Sequence, residues 1–229
     1  MSARLIVVAT PIGNLSDLSP RALQALSGAR LIACEDTRRT GRLLAGRGIK
    51  TRLISLHEHN ERRRVPELME QLEKGEDVVL VSDAGTPLLS DPGFVLVRSA
   101  IEHDIVVEHI PGPSAVLSAL VVSGLPPYPF TFAGFVPPRT VKRRKFFSEL
   151  GALGHTVVVF ESPHRILHSL EDFVQTLGDR PIAVARELTK MHEEIIRGAG
   201  SEVLNQLRQR SSIKGEFTIV FAKPAKERS

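Results

Sequence analysis

Residues 79–93 read VLVSDAGTPLLSDPG, and this stretch does most to predict the fold. It continues an aliphatic run, Val78–Val81, that is typical of a strand buried on both faces of a parallel sheet. Small residues, two acids, two prolines and two glycines follow, which indicates a loop at the carboxyl end of the strand, where open α/β sheets bind ligands. Glycine lets a ligand approach the backbone and proline restrains the loop. We therefore expect a binding loop, with Asp83 as an acceptor for a cationic or hydroxyl-bearing ligand.

Two further junctions between a strand and a loop have the same character. The first apolar run of the chain ends in Thr10-Pro11-Ile12-Gly13-Asn14, and a later one ends in Pro111-Gly112-Pro113-Ser114-Ala115. Pro113 fits the first position of a helix capped by Gly112, which would turn backbone N–H groups towards a ligand. One such loop is ordinary in a βα unit, but three long loops of small residues favour a shared binding crevice.

Composition places the chain among globular proteins of one or two domains. It has 229 residues, 42% hydrophobic and 24% charged. The sequence has no run of eighteen apolar residues, so we expect no membrane span, and its first residues lack a signal-peptide pattern. The single cysteine, Cys34, lies in an apolar run and is expected to be a buried small hydrophobe. These features predict a cytoplasmic protein without an intrachain disulfide.

Charge gives a weaker indication of the partner. The net charge is +4 and the pI about 9.5, which suggests a polyanionic partner only in combination with placement. Arginines cluster where helices are expected to begin, although cations there oppose the helix dipole. The clusters are Arg38, Arg39 and Arg42, then Arg62, Arg63 and Arg64, and then Arg139 with residues 142–145. Solvated helix faces explain them as well as contact with nucleic acid does.

Apolar runs alternate with helical patterns along the chain, which predicts an α/β fold with largely parallel strands. The predicted strands are 4–9, 30–34, 52–56, 77–82, 105–110, 130–135, 155–161, 181–186, 193–197 and 215–222. The predicted helices are 20–28, 37–47, 62–74, 91–102, 114–123, 140–152, 163–177 and 200–210. Ser19-Pro20, Asp91-Pro92 and Ser162-Pro163 each pair a capping residue with a proline suited to the first helical position.

The turn-rich segment 123–129 predicts a linker between two α/β domains. The first would be residues 1–122, with the Gly/Pro-rich loops at its strand ends. The second would be residues 123–229, with a mixed sheet, because the strands 181–186 and 193–197 are close enough in sequence to form a hairpin. We expect the binding crevice to lie between the two domains.

Common cofactor signatures are absent from the sequence, including G-x-G-x-x-G, G-x-x-x-x-G-K-[ST], H-E-x-x-H and G-x-S-x-G. His57 and His59 fit a solvated loop better than a metal site, so no metal is expected. Acids and bases instead follow apolar strands, in an arrangement that suits a polar pocket with tuned pKa values. The segments are Glu35-Asp36-Thr37-Arg38, in which Asp36 also suits a helix cap, Glu161-Ser162-Pro163-His164-Arg165, Arg186–Glu193 and Lys214-Gly215-Glu216.

Taken in order from about residue 4 to 222, these segments and the three loops resemble the ribosomal RNA small subunit methyltransferase I family, within the tetrapyrrole methylase-like superfamily. The resemblance implies a class III methyltransferase fold of two α/β domains with a cofactor crevice between them. It also implies S-adenosyl-L-methionine as cofactor and methylation of the ribose 2′-hydroxyl of cytidine 1402 in the decoding region of 16S ribosomal RNA. The implied partners are 16S rRNA or the small ribosomal subunit and a second copy of the chain.

The resemblance also carries residue roles by motif position. The implied cofactor contacts are Pro11, Gly13, Asp83, Gly85, Thr86, Gly112, Ser114, Ala115, Ser162, Lys214 and Gly215. Methyl transfer to a hydroxyl depends on positioning and is helped by a general base. The candidate bases are Asp36, Glu187 and Lys190, the lysine only if its pKa is lowered. The expected RNA contacts are Arg38, Arg39, Arg42, Arg139, Arg143 and Arg165.

Other functions stay open at this point. A related methylase could act on a tetrapyrrole or on a modified protein histidine. A non-catalytic RNA-binding module could use the crevice for a nucleotide. A structural partner protein would leave the polar crevice unexplained.

Overall fold

In a computed structural model, which describes residues 3–223, the chain divides into two compact units that meet in sequence at Ser114 and Ala115. Each unit is an α/β layer structure around its own sheet. The prediction of two α/β domains by alternation of strands and helices is confirmed at the level of fold class.

The first unit contains a five-stranded parallel sheet. Its strands are β1 (Arg4–Val8), β2 (Leu31–Cys34), β3 (Arg52–Ser55), β4 (Val78–Val81) and β5 (Val106–Ile110), in the order β3-β2-β4-β1-β5. Its helices are α1 (Pro20–Gly28), α2 (Thr37–Ala45), α3 (Glu61–Glu73) and α4 (Phe94–Glu102), with a short 3-10 helix at Leu15–Asp17. The sheet is buried on both faces: Leu5 and Val7 join one core cluster, and Ile6 and Val8 the other. This two-sided burial explains the unbroken apolar runs in the sequence.

The second unit contains a mixed sheet, as predicted. Its elements are α5 (Ala115–Ser123), β6 (Phe130–Phe135), α6 (Thr140–Gly151), β7 (Thr156–Glu161), α7 (Ile166–Leu177), β8 (Pro181–Arg186), β9 (Glu194–Ala199), α8 (Gly200–Arg208) and β10 (Phe217–Phe221). The strand order is β6-β7-β10-β8-β9; β6 and β7 are parallel, the other neighbours are antiparallel, and β8 and β9 form the expected hairpin. Phe147, Phe173 and Phe221 pack edge to face in its core, with ring centroids 5.1–6.3 Å apart.

The division of the chain lies before α5, whereas the sequence placed it after that helix, at residues 122 and 123. Helix α5 packs against β8 and β10 of the second sheet. Its last turn is also held there, because Arg197 Nε of β9 donates to the Val122 carbonyl oxygen at 3.0 Å. The turn-rich segment 123–129 therefore follows a helix that belongs to the second unit.

Two predicted helix starts need correction, while the others lie within one residue of the observed starts. Ser19 caps α1 as expected, since its hydroxyl accepts the Ala22 N–H at 3.1 Å. Helix α4, in contrast, begins at Phe94 and not at Asp91-Pro92, because the Glu61 side chain accepts the N–H groups of Gly93 at 2.9 Å and Val95 at 3.0 Å.

The second correction concerns Ser162-Pro163, and the predicted position of Pro113 in the first turn of a helix is also wrong. Helix α7 begins at Ile166, after a turn over 162–165 in which the Ser162 carbonyl, and not its side chain, accepts the N–H groups of Arg165 and Ile166. Helix α5 begins at Ala115, so Pro113 lies in the loop before it.

Cys34 is fully buried in the first unit, as predicted. Its thiol lies 3.7 Å from the Ile54 carbonyl oxygen. Burial raises the pKa of this thiol to about 11, so the thiolate is scarcely populated at neutral pH. Among the helices within residues 3–223, none has both the length and the apolarity to cross a bilayer.

Candidate functional site

The three small-residue loops meet at the carboxyl edge of the first sheet. Thr10 and Gly85 exchange two backbone hydrogen bonds of 2.9 Å, which join the loop after β1 to the loop after β4. Thr86 Oγ1 then donates to the Pro113 carbonyl oxygen at 3.2 Å, which joins the loop after β5. The sheet order explains this meeting, because β4, β1 and β5 are neighbours and parallel strands place their carboxyl ends at one edge.

Glycine is needed where these loops approach one another. A Cβ at Gly85, whose φ is +84°, would lie 3.3 Å from Ile12 Cγ2, and a Cβ at Gly112 would lie 3.1 Å from the Ala9 Cβ. The glycines that the sequence assigned to ligand approach therefore also let the protein's own loops pack closely.

Asp83 connects this edge to the start of α2. One carboxylate oxygen accepts the backbone N–H of Asp36 at 3.0 Å, and the other accepts from Arg39 Nη1 at 3.0 Å. The Asp83 side chain is only 19% exposed. Asp83, which we predicted as an acceptor for a ligand, thus has hydrogen-bond partners within the protein. Its contact with Arg39 also restrains that side chain.

Asp36 caps helix α2, which is one of the two roles that we predicted for it. Its side chain accepts the Arg38 N–H at 2.8 Å. This backbone hydrogen bond lowers the pKa of Asp36, with a smaller contribution from the Arg38 side chain. A carboxylate stabilised in this way is a weak proton acceptor.

Two other acids at the same edge, Asp91 and Glu35, were not among the predicted catalytic or cofactor residues. Burial raises the pKa of Asp91 to about 6, the negative charge of Glu35 adds to the effect, and a hydrogen bond from Ser82 opposes it. Burial also raises the pKa of Glu35, with the charge of Asp83 as the next cause. In the sequence, Asp91 had been interpreted as a helix cap because Pro92 follows it.

In the second unit, the predicted residues Glu187, Lys190, Lys214 and Gly215 come together. Glu187 Oε1 accepts the Glu216 N–H at 2.9 Å, and the Glu187 N–H donates to the Glu216 carbonyl oxygen at 3.0 Å. Lys190 Nζ contacts Glu187 at 2.8 Å and Glu216 at 3.0 Å. The loop after β8 and the turn before β10 therefore form one hydrogen-bonded cluster.

The electrostatics of this cluster do not favour proton abstraction by Lys190. Burial alone would lower its pKa, but the hydrogen bonds with Glu187 and Glu216 outweigh burial and raise it. For Glu187, burial acts to raise the pKa, but the hydrogen bonds from Lys190 and the Glu216 N–H, together with the charges of Lys190 and Arg186, outweigh burial and lower it. Lys190 is thus a cation and Glu187 a carboxylate, and the condition under which the lysine could be a base is not met.

The last predicted cofactor residue of the second unit, Ser162, follows the buried acid Glu161. The Ser162 N–H donates to Glu161 Oε1 at 2.6 Å, and Arg165 Nε donates to the same oxygen at 3.0 Å. The turn 162–165 is therefore anchored to the end of β7.

The predicted RNA-contacting arginines other than Arg143 fall into three groups. Arg38, whose side chain is 88% exposed, and Arg42 line an open groove of about 580 Å³ along α2, together with Thr37, Gly41 and Ala45. Arg39 faces Asp83, and Arg165 faces Glu161. Arg139 is exposed just before α6.

Arg143 requires a correction, because its side chain is only 6% exposed. Arg143 Nε donates to Asp172 at 2.6 Å, and Nη1 donates to the Pro138 carbonyl oxygen at 3.1 Å. It lies one helical turn from Phe147, on the side of α6 that packs into the core. Arg143 is therefore a structural residue and is inaccessible to a phosphate.

Both units contain His, Asp and Glu side chains, which are possible metal ligands. Between residues 3 and 223, no group of three or more His, Cys, Asp or Glu side chains is arranged to hold a metal ion.

This combination of a parallel sheet with joined strand-end loops and a mixed sheet is the fold of a known class of methylases. The family model of tetrapyrrole (corrin/porphyrin) methylases matches residues 4–204. Among solved structures, the chain is similar to uroporphyrin-III C-methyltransferase from Thermus thermophilus in complex with S-adenosyl homocysteine. The TM-score is 0.64 with 17% sequence identity, over 95% of this chain and 96% of that one. At that identity the likeness concerns the fold alone.

Sequence relatives narrow the class. The chain is 44% identical to ribosomal RNA small subunit methyltransferase I of Thermotoga maritima, over 96% of this chain and 98% of that protein. It is 45% identical to the protein of the same name from Micromonospora olivasterospora, over 96% of this chain and 71% of that one. The chain belongs to the ribosomal RNA small subunit methyltransferase I family of the tetrapyrrole methylases.

Proposed function

We propose that the protein transfers the methyl group of S-adenosylmethionine to the ribose 2′-hydroxyl of cytidine 1402 in 16S ribosomal RNA. The main support is the likeness to the Thermotoga maritima protein over nearly the whole of both chains. The joined strand-end loops of the first unit supply a site of the kind that this chemistry needs.

The residues proposed for the cofactor are those that the family resemblance implies. In the first unit they are in the three joined loops, at Pro11, Gly13, Asp83, Gly85, Thr86, Gly112 and Ser114. In the second unit they are Ala115, Ser162, Lys214 and Gly215. The cofactor supplies an activated methyl group on a sulfonium. The contribution of the chain is to hold the 2′-oxygen in line with that methyl group and to exclude water.

Removal of the proton from the 2′-hydroxyl requires a group that is ionised at neutral pH and still basic. Of the acids at the first unit's loop edge, Asp91 fits this requirement best, since its pKa is about 6. The lowered pKa of Asp36 makes it a weaker acceptor. We therefore add Asp91 to Asp36, Glu187 and Lys190 as a candidate general base.

The groove along α2 is the proposed entry for RNA. Arg38 and Arg42 are one helical turn apart, and Gly41 and Ala45 leave room between them. Two guanidinium groups at that spacing suit neighbouring phosphates of a single strand. Arg139 and Arg165 are proposed as further contacts. A homodimer and a cytoplasmic location are proposed from the family resemblance.

Transfer of a labelled methyl group tests the function. The protein would be incubated with S-adenosylmethionine carrying a labelled methyl group and, separately, with small ribosomal subunits, a precorrin-type tetrapyrrole and a protein with a modified histidine. We expect label on the RNA alone. Label on the tetrapyrrole or the histidine would point to another methylase of the superfamily, and RNA binding without transfer would identify a non-catalytic module.

A further inference from the structure

Glu161, the last residue of β7, is a charged side chain with no exposed surface. A buried carboxylate is unfavourable unless its oxygens are hydrogen-bonded. Replacing a buried ion pair by apolar residues is often neutral or stabilising. Stability alone therefore gives little reason for a carboxylate at this position, and its contacts indicate another role.

The contacts of Glu161 hold both ends of the turn 162–165. Its Oε1 accepts the Ser162 N–H at 2.6 Å, Arg165 Nε at 3.0 Å and Arg165 Nη2 at 2.9 Å. Its Oε2 accepts from the buried Ser169 hydroxyl. The turn is closed by the Arg165 N–H, which donates to the Ser162 carbonyl oxygen at 3.2 Å. One carboxylate thus fixes the backbone at the start of the turn and the guanidinium at its end.

The two partners of the ion pair differ in their exposure to solvent. The Glu161 carboxylate is covered, whereas the Arg165 side chain is 32% exposed. The positive end of the pair therefore faces outward. Arg165 uses the edge formed by Nε and Nη2 for Glu161, which leaves the Nη1 side of the planar group for a second acceptor.

We propose that Glu161 is a positioning residue for RNA recognition, which holds the Arg165 guanidinium towards a phosphate of the RNA backbone. The inference rests on the proposed function, because the RNA substrate supplies the phosphate. An arginine held by a carboxylate loses less rotamer freedom on binding than a mobile one does, and its fork matches phosphate geometry.

A double-mutant cycle between Glu161 and Arg165 tests this role. The affinity for a 16S rRNA fragment that contains the decoding region would be measured for the wild type, Glu161→Gln, Arg165→Ala and the double variant. If Glu161 acts through Arg165, each single variant weakens RNA binding by about tenfold and the double variant binds no more weakly than Arg165→Ala. Additive losses would overturn the proposal.

Ser169→Ala is the control for a purely structural effect, because it removes one contact of the same carboxylate and leaves Arg165 in place. We expect it to lower the unfolding midpoint while RNA affinity stays within about twofold of the wild type. An RNA-binding loss as large as that of Glu161→Gln would mean that only stability is involved and would overturn the proposal.

RNA binding by Arg165→Lys and methyl transfer by the wild type are measured as well. Arg165→Lys retains the ion pair but lacks the fork, so it serves if Glu161→Gln does not fold; wild-type RNA affinity in this variant would overturn the proposal. Wild-type transfer of methyl to RNA is measured alongside. Its absence would refute the proposed function and this inference with it, whereas normal transfer with an additive cycle would refute the role of Glu161 alone.

Discussion

The Asp83 carboxylate accepts the backbone N–H of Asp36 at 3.0 Å. This hydrogen bond joins the loop after β4 to the residue that caps α2. The same carboxylate contacts Arg39. Asp83 therefore shapes the loop edge of the first sheet, in addition to any contact that it makes with the cofactor.

We expect Asp83→Asn to weaken S-adenosylmethionine binding by about tenfold, which corresponds to about 1.4 kcal/mol. The amide cannot accept at both positions as the carboxylate does, so the loop and α2 lose their fixed relation. Titration calorimetry measures the affinity.

The matched control is Asp77→Asn. Asp77 lies just before β4, whereas Asp83 lies just after the same strand. The Asp77 carboxylate accepts the Arg4 N–H at 2.7 Å. It lies at the other end of the strand, so cofactor affinity should be unchanged. Equal affinities for wild type and Asp83→Asn would remove Asp83 from the site.

Gly215→Ala should destabilise the protein by at least about 1 kcal/mol and weaken cofactor binding. Gly215 has a φ of +98°, and a Cβ there would lie 2.5 Å from Glu187 Cγ. The turn that carries Lys214 must then move away from Glu187. Urea unfolding and calorimetry measure the two effects.

Gly154→Ala separates backbone strain from this collision. Its φ is +73° but a Cβ would meet nothing within 4 Å. We expect a modest loss of stability and normal cofactor affinity. If both variants behave alike, close packing between Gly215 and Glu187 has no part in the site.

Asp91→Asn should change the pH dependence of stability. The folded state raises the Asp91 pKa from 3.8 to about 6, so it binds the proton more tightly than the unfolded chain does. The stability that this proton contributes is complete below pH 3.8 and is lost as the pH rises through about 6. The asparagine variant should therefore gain stability over the wild type at pH 8, and the difference should shrink towards pH 4. Unfolding free energies that differ equally at both pH values would contradict the raised pKa.

Replacing Arg38 and Arg42 together by glutamine should flatten the salt dependence of RNA binding. Each phosphate contact with a single strand contributes about 0.7 to the slope of log affinity against log salt concentration. The control pair, Arg30→Gln with Arg98→Gln, removes the same charge from exposed arginines that already pair with Glu76 and Glu102. An unaltered slope in the Arg38 and Arg42 variant would leave the α2 groove as ordinary surface.

The strands and most helices could be predicted because their signals are local. Aliphatic runs such as Val78–Val81 indicate strands buried on both faces, and Ser19-Pro20 indicates a helix start. The start of α4 could not be found in this way. Its first N–H groups are satisfied by Glu61, which is remote in sequence, so the local pair Asp91-Pro92 was misleading.

The site shows the same division between local and long-range information. The motifs identified the loops that meet. They did not show which acids would form hydrogen bonds within the protein. Asp36 is used as a cap, while Asp91 is half-buried near Glu35, and only the folded arrangement distinguishes them. Arg143 could have been recognised from its spacing to Phe147, since both lie on the apolar side of α6.

The most direct test of the proposed function is to map the methylated nucleotide by mass spectrometry, after reaction of the protein with S-adenosylmethionine and small ribosomal subunits that lack the modification. We expect a single new methyl group, on the ribose oxygen of cytidine 1402. A methyl group on a base or at another nucleotide would contradict the proposed function. RNA that stays unmodified with the protein, S-adenosylmethionine and the subunits all present would contradict it as well.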